Sequence, residues 1–134
     1  MNRSRYEQGA VSTFLAAIAL SLLMAAGLAV DGGRKVAALR EASHLADNAA
    51  RAAAQAVDLD TFRTTGAISL FPDQATTFAN DYLAALGHTG QVTVDGATAT
   101  VTVTITVEPV LLPIDEIRVT ATETAAALTL EPGT

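Results

Sequence analysis

The first part of the chain is a long apolar run that stops abruptly. From Ala10 to Val30 no side chain is ionisable, and an acid, two glycines and two bases follow directly. At about 1.5 Å per residue, a helix over this run reaches about 30 Å, the thickness of a bilayer's hydrocarbon core. The run therefore predicts a transmembrane helix. A cleaved signal peptide is the alternative, although the apolar region of a signal peptide is usually shorter, about 7–15 residues.

A second helical pattern follows the run. Polar residues recur at steps of three and four, the spacing of one helix face: Arg40, His44, Asp47, Arg51, Gln55 and Asp58. The other face is apolar and mostly small: Val36, Leu39, Ala42, Ala46, Ala49, Ala53 and Val57. Alanine favours helix, so we predict one long helix from about Val11 to Val57. Its small side chains permit close approach of a neighbouring element, which makes a helix-packing face of Ala42, Ala46, Ala49 and Ala53.

The motif Asp31-Gly32-Gly33-Arg34 lies where the helix leaves the membrane and allows two outcomes. If the helix continues, each glycine costs about 1 kcal/mol relative to alanine and softens the helix there. If it breaks, the Asp31 carboxylate is placed to cap a new helix. Both outcomes stay open on the sequence alone.

The C-terminal part predicts a small α+β cap. Residues 72–87 begin with proline, carry apolar positions at helical spacing and end in glycine, which indicates a short helix. Residues 58–71 are too mixed to assign. Asp95-Gly96 then predicts a type I′ hairpin turn, with Val94 opposite Ala97. A third strand is predicted over residues 117–125, which completes a three-stranded antiparallel sheet.

Alternation in these strands places threonines on one face and apolar residues on the other. The apolar face is expected to pack on the helices. The threonine face fits either a solvated sheet surface or an adhesive array. The segment before the last strand contains two prolines, Pro109 and Pro113, and forms a possible docking loop, which could equally cover the end of the core. Its large apolar residues are Val110, Leu111, Leu112 and Ile114.

Composition narrows the function. The chain has 8 basic and 14 acidic residues and a formal net charge of −6, which argues against nucleic acid as a partner. There is no cysteine, and His44 and His88 lie in separate elements without a second set of metal ligands. Neither a nucleophile motif nor a phosphate-binding loop is present. We therefore predict a protein without enzymatic activity, cofactor or metal.

Three features of the sequence form a recognisable pattern. Gly9 lies ahead of the apolar run, the run ends in Gly27-Leu28-Ala29-Val30-Asp31-Gly32-Gly33-Arg34, and the helix beyond it contains Glu41-Ala42-Ser43-His44-Leu45-Ala46-Asp47-Asn48-Ala49-Ala50-Arg51. This pattern resembles the TadE/TadG-like proteins of the tight-adherence (Tad, or Flp) pilus system. The resemblance covers roughly the first 57 residues well. It implies a single-pass, pilin-like envelope protein whose partners are the membrane and other pilin-like or Tad secretion-system subunits.

The resemblance also implies a processing site. In pilin-type precursors a dedicated peptidase cuts after a glycine that precedes the apolar helix, and Gly9 followed by Ala10 matches that position. Such precursors usually carry glutamate at the fifth mature position, where this chain has Phe14. A processed and an intact N-terminus therefore both stay open.

These predictions divide the chain into a cytoplasmic head over residues 1–9, a transmembrane helix over 10–30, its extracytoplasmic continuation over 31–57 and the cap over 58–134. The expected location is the cell membrane, with the N-terminus in the cytoplasm. The expected function is that of a minor pilin-like subunit or assembly factor. A membrane-tethered binding or adhesion module is the alternative.

Overall fold

A computed structural model describes the backbone of residues 3–111 and 115–127, and the side chains within 11–111 and 115–127. The described residues form three helices and three strands: α1 (Arg3–Ala53), α2 (Leu59–Thr65), α3 (Pro72–Ala85), β1 (Gly90–Asp95), β2 (Thr98–Val107) and β3 (Ile117–Ala126). This confirms the predicted α+β class with a long N-terminal helix and a three-stranded antiparallel sheet. Helix α2 was not predicted.

Helix α1 runs without a break through Gly32 and Gly33. Among the described residues, α1 is the one helix that is both long enough and apolar enough to cross a membrane. Only 6% of its most apolar window is buried inside the structure. The helix ends at Ala53, earlier than predicted, because Val57 leaves it to form a β-bridge with Leu70.

The hairpin differs from its prediction in turn and register. Asp95 pairs with Thr98 and Val94 with Ala99, so Gly96 and Ala97 are the central turn residues. Gly96 has a φ of +56°, and no described non-glycine residue has a positive φ. One positive φ at the first central position is the pattern of a type II′ turn, whereas type I′ needs two. The two-residue shift keeps every side chain on its predicted face.

The sheet has the order β1-β2-β3 and lays its apolar face against α1 and α3. Leu83 of α3 and Val101 and Val103 of β2 are the largest fully buried side chains. On α1 the buried positions are mostly alanine. Val36 and Leu39, which were placed on the apolar face, are about half exposed at 49% and 46%, because both point away from the side of α1 that carries the buried Asp31 and Ala38.

Candidate functional site at the membrane exit

The motif at the end of the apolar run holds the cap to the helix. Asp31 is only 3% exposed. Its Oδ1 accepts a hydrogen bond from the backbone N–H of Val110, and its Oδ2 accepts one from Leu111, both at 3.1 Å. Because α1 does not break, the carboxylate caps the loop after β2 rather than a new helix. Asp31 therefore joins two segments nearly 80 residues apart in the chain.

Two further positions on α1 hold the same loop, which we call the exit loop (residues 108–111). The Arg34 guanidinium donates a hydrogen bond from Nη1 to the carbonyl of Glu108 at 3.3 Å. Gly27, one turn before Asp31, is buried. A Cβ at Gly27 would lie 3.3 Å from the Cβ of Leu111, which is tighter than an ordinary contact, so a side chain here would push the loop outwards by a few tenths of an ångström.

The structure describes two of the four residues of the predicted docking loop. Val110 and Leu111 lie on α1 with 66% and 56% of their surface exposed. Leu112 and Ile114 lie outside the described residues. Docking of a partner by this loop stays a prediction.

Gly32 and Gly33 face open space. Both are exposed and helical, and a Cβ at either position would meet no atom of the described residues within 4 Å. Neither glycine is therefore needed for packing against the part of the chain that the structure describes. A glycine inside a helix costs about 1 kcal/mol relative to alanine. The pair therefore lowers the stability of α1, and no contact among the described residues compensates for it.

The predicted helix-packing face is occupied by the chain's own cap. Ala42, Ala46, Ala49 and Ala53 are all 0% exposed, and the last three belong to the core formed with the sheet and α3. Beside them, the Ser43 hydroxyl donates to Glu123 Oε1 of β3 at 2.5 Å. These alanines set the distance between helix and sheet, and no second subunit can reach them while the cap is docked.

The threonine face of the sheet is exposed and internally paired. Hydroxyl groups on β2 and β3 lie within hydrogen-bond distance of each other in three successive pairs at 2.9–3.0 Å: Thr100–Thr124, Thr102–Thr122 and Thr104–Thr120. A shallow groove on this face is lined by Thr89, Gly90, Gln91, Thr102, Thr104 and Thr120. A regular row of paired hydroxyl groups results.

Other candidate chemistry is sparse. Within the described residues, no three His, Cys, Asp or Glu side chains are arranged to hold a metal ion. His44 is exposed, and His88 Nε2 lies 3.7 Å from Glu41 Oε1, where it joins the end of α3 to α1. Gly9 and Ala10 lie within α1, and their use as a processing site stays a prediction.

Asp58 has a structural use that predicts a pH dependence. Its carboxylate accepts hydrogen bonds from the Thr61 hydroxyl at 2.6 Å and from the Thr61 backbone N–H at 2.9 Å, and these lower the pKa of Asp58 below its ordinary 3.8. A lowered pKa in the folded state means that the cap of α2 stabilises above the ordinary pKa and is lost as the pH falls through the folded pKa. We expect the NMR chemical shift of the Thr61 amide to change as the cap is lost in acid. In Asp58→Asn it should stay constant over the same pH range, because asparagine caps a helix without titrating.

The fold and the exit site define a class: an α+β cap clamped by a buried acid to one helix that is apolar enough to cross a membrane. Residues 9–56 match the model of the family described as "Putative Flp pilus-assembly TadE/G-like". The match contains Gly9, the apolar run, the exit motif and the alanine-rich part of α1. It confirms the resemblance seen in the sequence.

Together, the match and the apolar helix support a pilus-related membrane protein. The family implies membrane association and other subunits of a pilus system, and its members are typically non-enzymatic structural or assembly proteins. Searches of curated proteins and of solved structures gave no significant match.

Two contacts of the site were not predicted from the sequence. Gly27 looked like one more small residue in the apolar run, and its contact with Leu111 has no local signal. Glu123 did have a signal, since it is an acid at a position where β3 otherwise places apolar residues towards α1. An acid at such a position predicts a polar partner on the facing helix.

Proposed function

We propose that this chain is a minor pilin-like subunit or assembly factor of a Tad/Flp-type pilus, without enzymatic activity. The observation that carries the proposal is the family match over residues 9–56. In this arrangement residues 10–30 span the membrane, the N-terminus lies in the cytoplasm and the cap lies outside. The clamp at Asp31 transmits the position of the helix to the cap.

We further propose that α1 contacts neighbouring subunits through the face that the cap leaves free. Four exposed small residues follow one another there at steps of three and four: Ala26, Ala29, Gly33 and Ala37. They lie on the side of α1 opposite Asp31 and the buried alanines. Small residues let two helices approach closely in a membrane, where packing rather than hydrophobicity drives association. Such a contact would offset the cost of Gly33.

Gly33→Leu tests this contact. Leucine is a better helix former than glycine by nearly 1 kcal/mol, so the substitution should stabilise the isolated protein. It should nevertheless reduce surface pili, and reduce recovery of pilus subunits with this protein, because the bulky side chain keeps a second helix away. Piliation and co-purification from the native host measure the effect.

Gly32→Leu is the matched control. It is the same change at an equally open neighbouring position, but its side chain points about 100° further around the helix. Normal piliation with both variants would contradict lateral contact through this face.

The N-terminus of the protein isolated from its native membrane tests processing. Cleavage between Gly9 and Ala10 should give a mature chain beginning at Ala10, which intact-mass measurement detects directly. That start supports a pilin-like subunit, and an intact Met1 supports a permanently anchored assembly factor. A chain beginning after Ala29 would contradict the anchored protein altogether, since the membrane helix would be gone.

A membrane-tethered binding module is the second candidate, and the exposed threonine face favours it. A regular array of hydroxyl groups is a suitable surface for a polar ligand. If this face binds, Thr102→Ala with Thr104→Ala should abolish adhesion while Gly33→Leu has little effect. The opposite pattern supports the pilus role.

A further inference from the structure

We propose that the exit loop enters the cap-side leaflet of the bilayer and forms a second membrane contact beside the span. The ligand is the interfacial and upper acyl region of the same membrane that α1 crosses. The proposal rests on the membrane span in the proposed function and adds a lipid-binding surface on the cap.

The position of the loop supports this contact. Leu111 packs against Gly27, and Gly27 lies three residues inside the apolar run, about 4.5 Å below its end at Val30. A loop that touches Gly27 therefore reaches the depth at which the helix is already in apolar surroundings. The cap does not stand clear of the bilayer.

The exposed side chains of the loop fit lipid. Val110 and Leu111 are 66% and 56% exposed although both are large and apolar. They continue the exposed apolar surface of the helix below them, where Met24 and Leu28 are 64% and 65% exposed. One continuous apolar surface thus includes both the helix and the loop, so the loop extends an apolar membrane-facing region rather than forming an isolated patch.

Several polar backbone groups of the loop have hydrogen-bond partners inside the protein, as apolar surroundings require. Polar backbone groups at membrane depth must find partners inside the protein, because water does not satisfy them there. The N–H groups of Val110 and Leu111 both donate to Asp31, and the carbonyl of Glu108 accepts from Arg34. The same hydrogen bonds explain how a carboxylate is tolerated at the membrane boundary. The loop leaves Asp31 only 3% exposed, and its N–H groups satisfy the buried carboxylate oxygens.

Basic side chains lie at the matching height. Arg34 and Lys35 follow the apolar run directly and are exposed. Their long side chains are suited to lipid phosphates while their stems stay near the apolar surface. The apolar loop and the basic residues together have the polarity profile of a membrane interface.

Tryptophan fluorescence tests the proposal, because the chain has no tryptophan. The full-length Val110→Trp variant is reconstituted in phosphatidylcholine vesicles with or without brominated acyl chains. We expect a blue-shifted emission, loss of fluorescence with brominated lipid and little quenching by acrylamide in water. Phe14→Trp, at an exposed position within the span, is the lipid reference. Leu59→Trp is the aqueous reference, since it begins α2, beyond the far end of α1.

The outcomes separate the two proposals. Quenching of Val110→Trp that resembles Phe14→Trp supports insertion of the loop. Behaviour like Leu59→Trp overturns loop insertion and leaves the span intact. If brominated lipid fails to quench Phe14→Trp as well, the span itself is wrong and the anchored function falls with it.

A cysteine series covers the case in which tryptophan disturbs the loop. The chain contains no cysteine, so single substitutions are labelled without background. In vesicles, Val110→Cys should react with a polar maleimide much more slowly than Leu59→Cys, and the two should react equally after unfolding in detergent and denaturant. Equal reaction rates in the vesicles would overturn the proposal.

Discussion

Ala46→Leu should separate the cap from α1. Ala46 is 0% exposed and lies in the core between the helix and the cap. Three added carbon atoms have no space there, so either the sheet moves away or neighbouring side chains leave their preferred rotamers. Overpacking of this size costs about 3 kcal/mol, a large share of the stability of a small domain. We expect a lower midpoint of chemical unfolding in detergent micelles and lost amide protection in β2.

Ala37→Leu is the matched control for this substitution. Ala37 is exposed on the opposite side of α1, so the same added volume meets no part of the cap. The cap should stay folded, while assembly should suffer if the free face contacts other subunits. An unchanged unfolding midpoint for Ala46→Leu would contradict the packing described above. A loss of piliation in Ala46→Leu would follow from displacement of the cap, so it would not identify a surface that binds a partner.

Asp31→Ala should release the exit loop from the helix. The substitution removes the acceptor of two backbone N–H groups and leaves both donors without it. Losing a buried charged acceptor costs about 2–4 kcal/mol, because the stranded donors keep their desolvation penalty. Hydrogen exchange at the amides of Val110 and Leu111 should accelerate strongly. The helix itself should persist, since alanine favours helix more than aspartate does.

Two comparisons assign the effect to the clamp. Asp47→Ala removes a carboxylate from the same helix whose partner is Arg51 at the surface, 3.0 Å away. Such an exposed pair contributes about 0.5 kcal/mol or less, and exchange in the exit loop should not change. Asp31→Asn keeps the shape and one good acceptor, so it should fall between wild type and alanine. Slow exchange at Val110 in Asp31→Ala would mean that the loop is held in another way.

Local patterns were sufficient for most elements of this fold. The period of three and four residues predicted α1, and alternation predicted β2 and β3 with the correct faces, because both follow from backbone geometry. The predicted turn type was wrong. Glycine suits the second central position of a type I′ turn, as predicted for Gly96, but it equally suits the first central position of a type II′ turn, which Gly96 occupies. Helix α2 was missed because seven residues with no buried side chain leave no periodic signal.

The sequence by itself determined the apolar run, the helical character beyond it, the sheet with its threonine face and the resemblance to TadE/G-like proteins over residues 9–56, because each is encoded in contiguous residues. Tertiary structure alone decided how the pieces are used. It placed the small alanines against the chain's own sheet, assigned Asp31 to a loop far along the chain and left Gly33 facing outwards. These assignments depend on which segments meet in space, and the energy of such contacts comes from residues too distant in sequence for any local pattern to pair them.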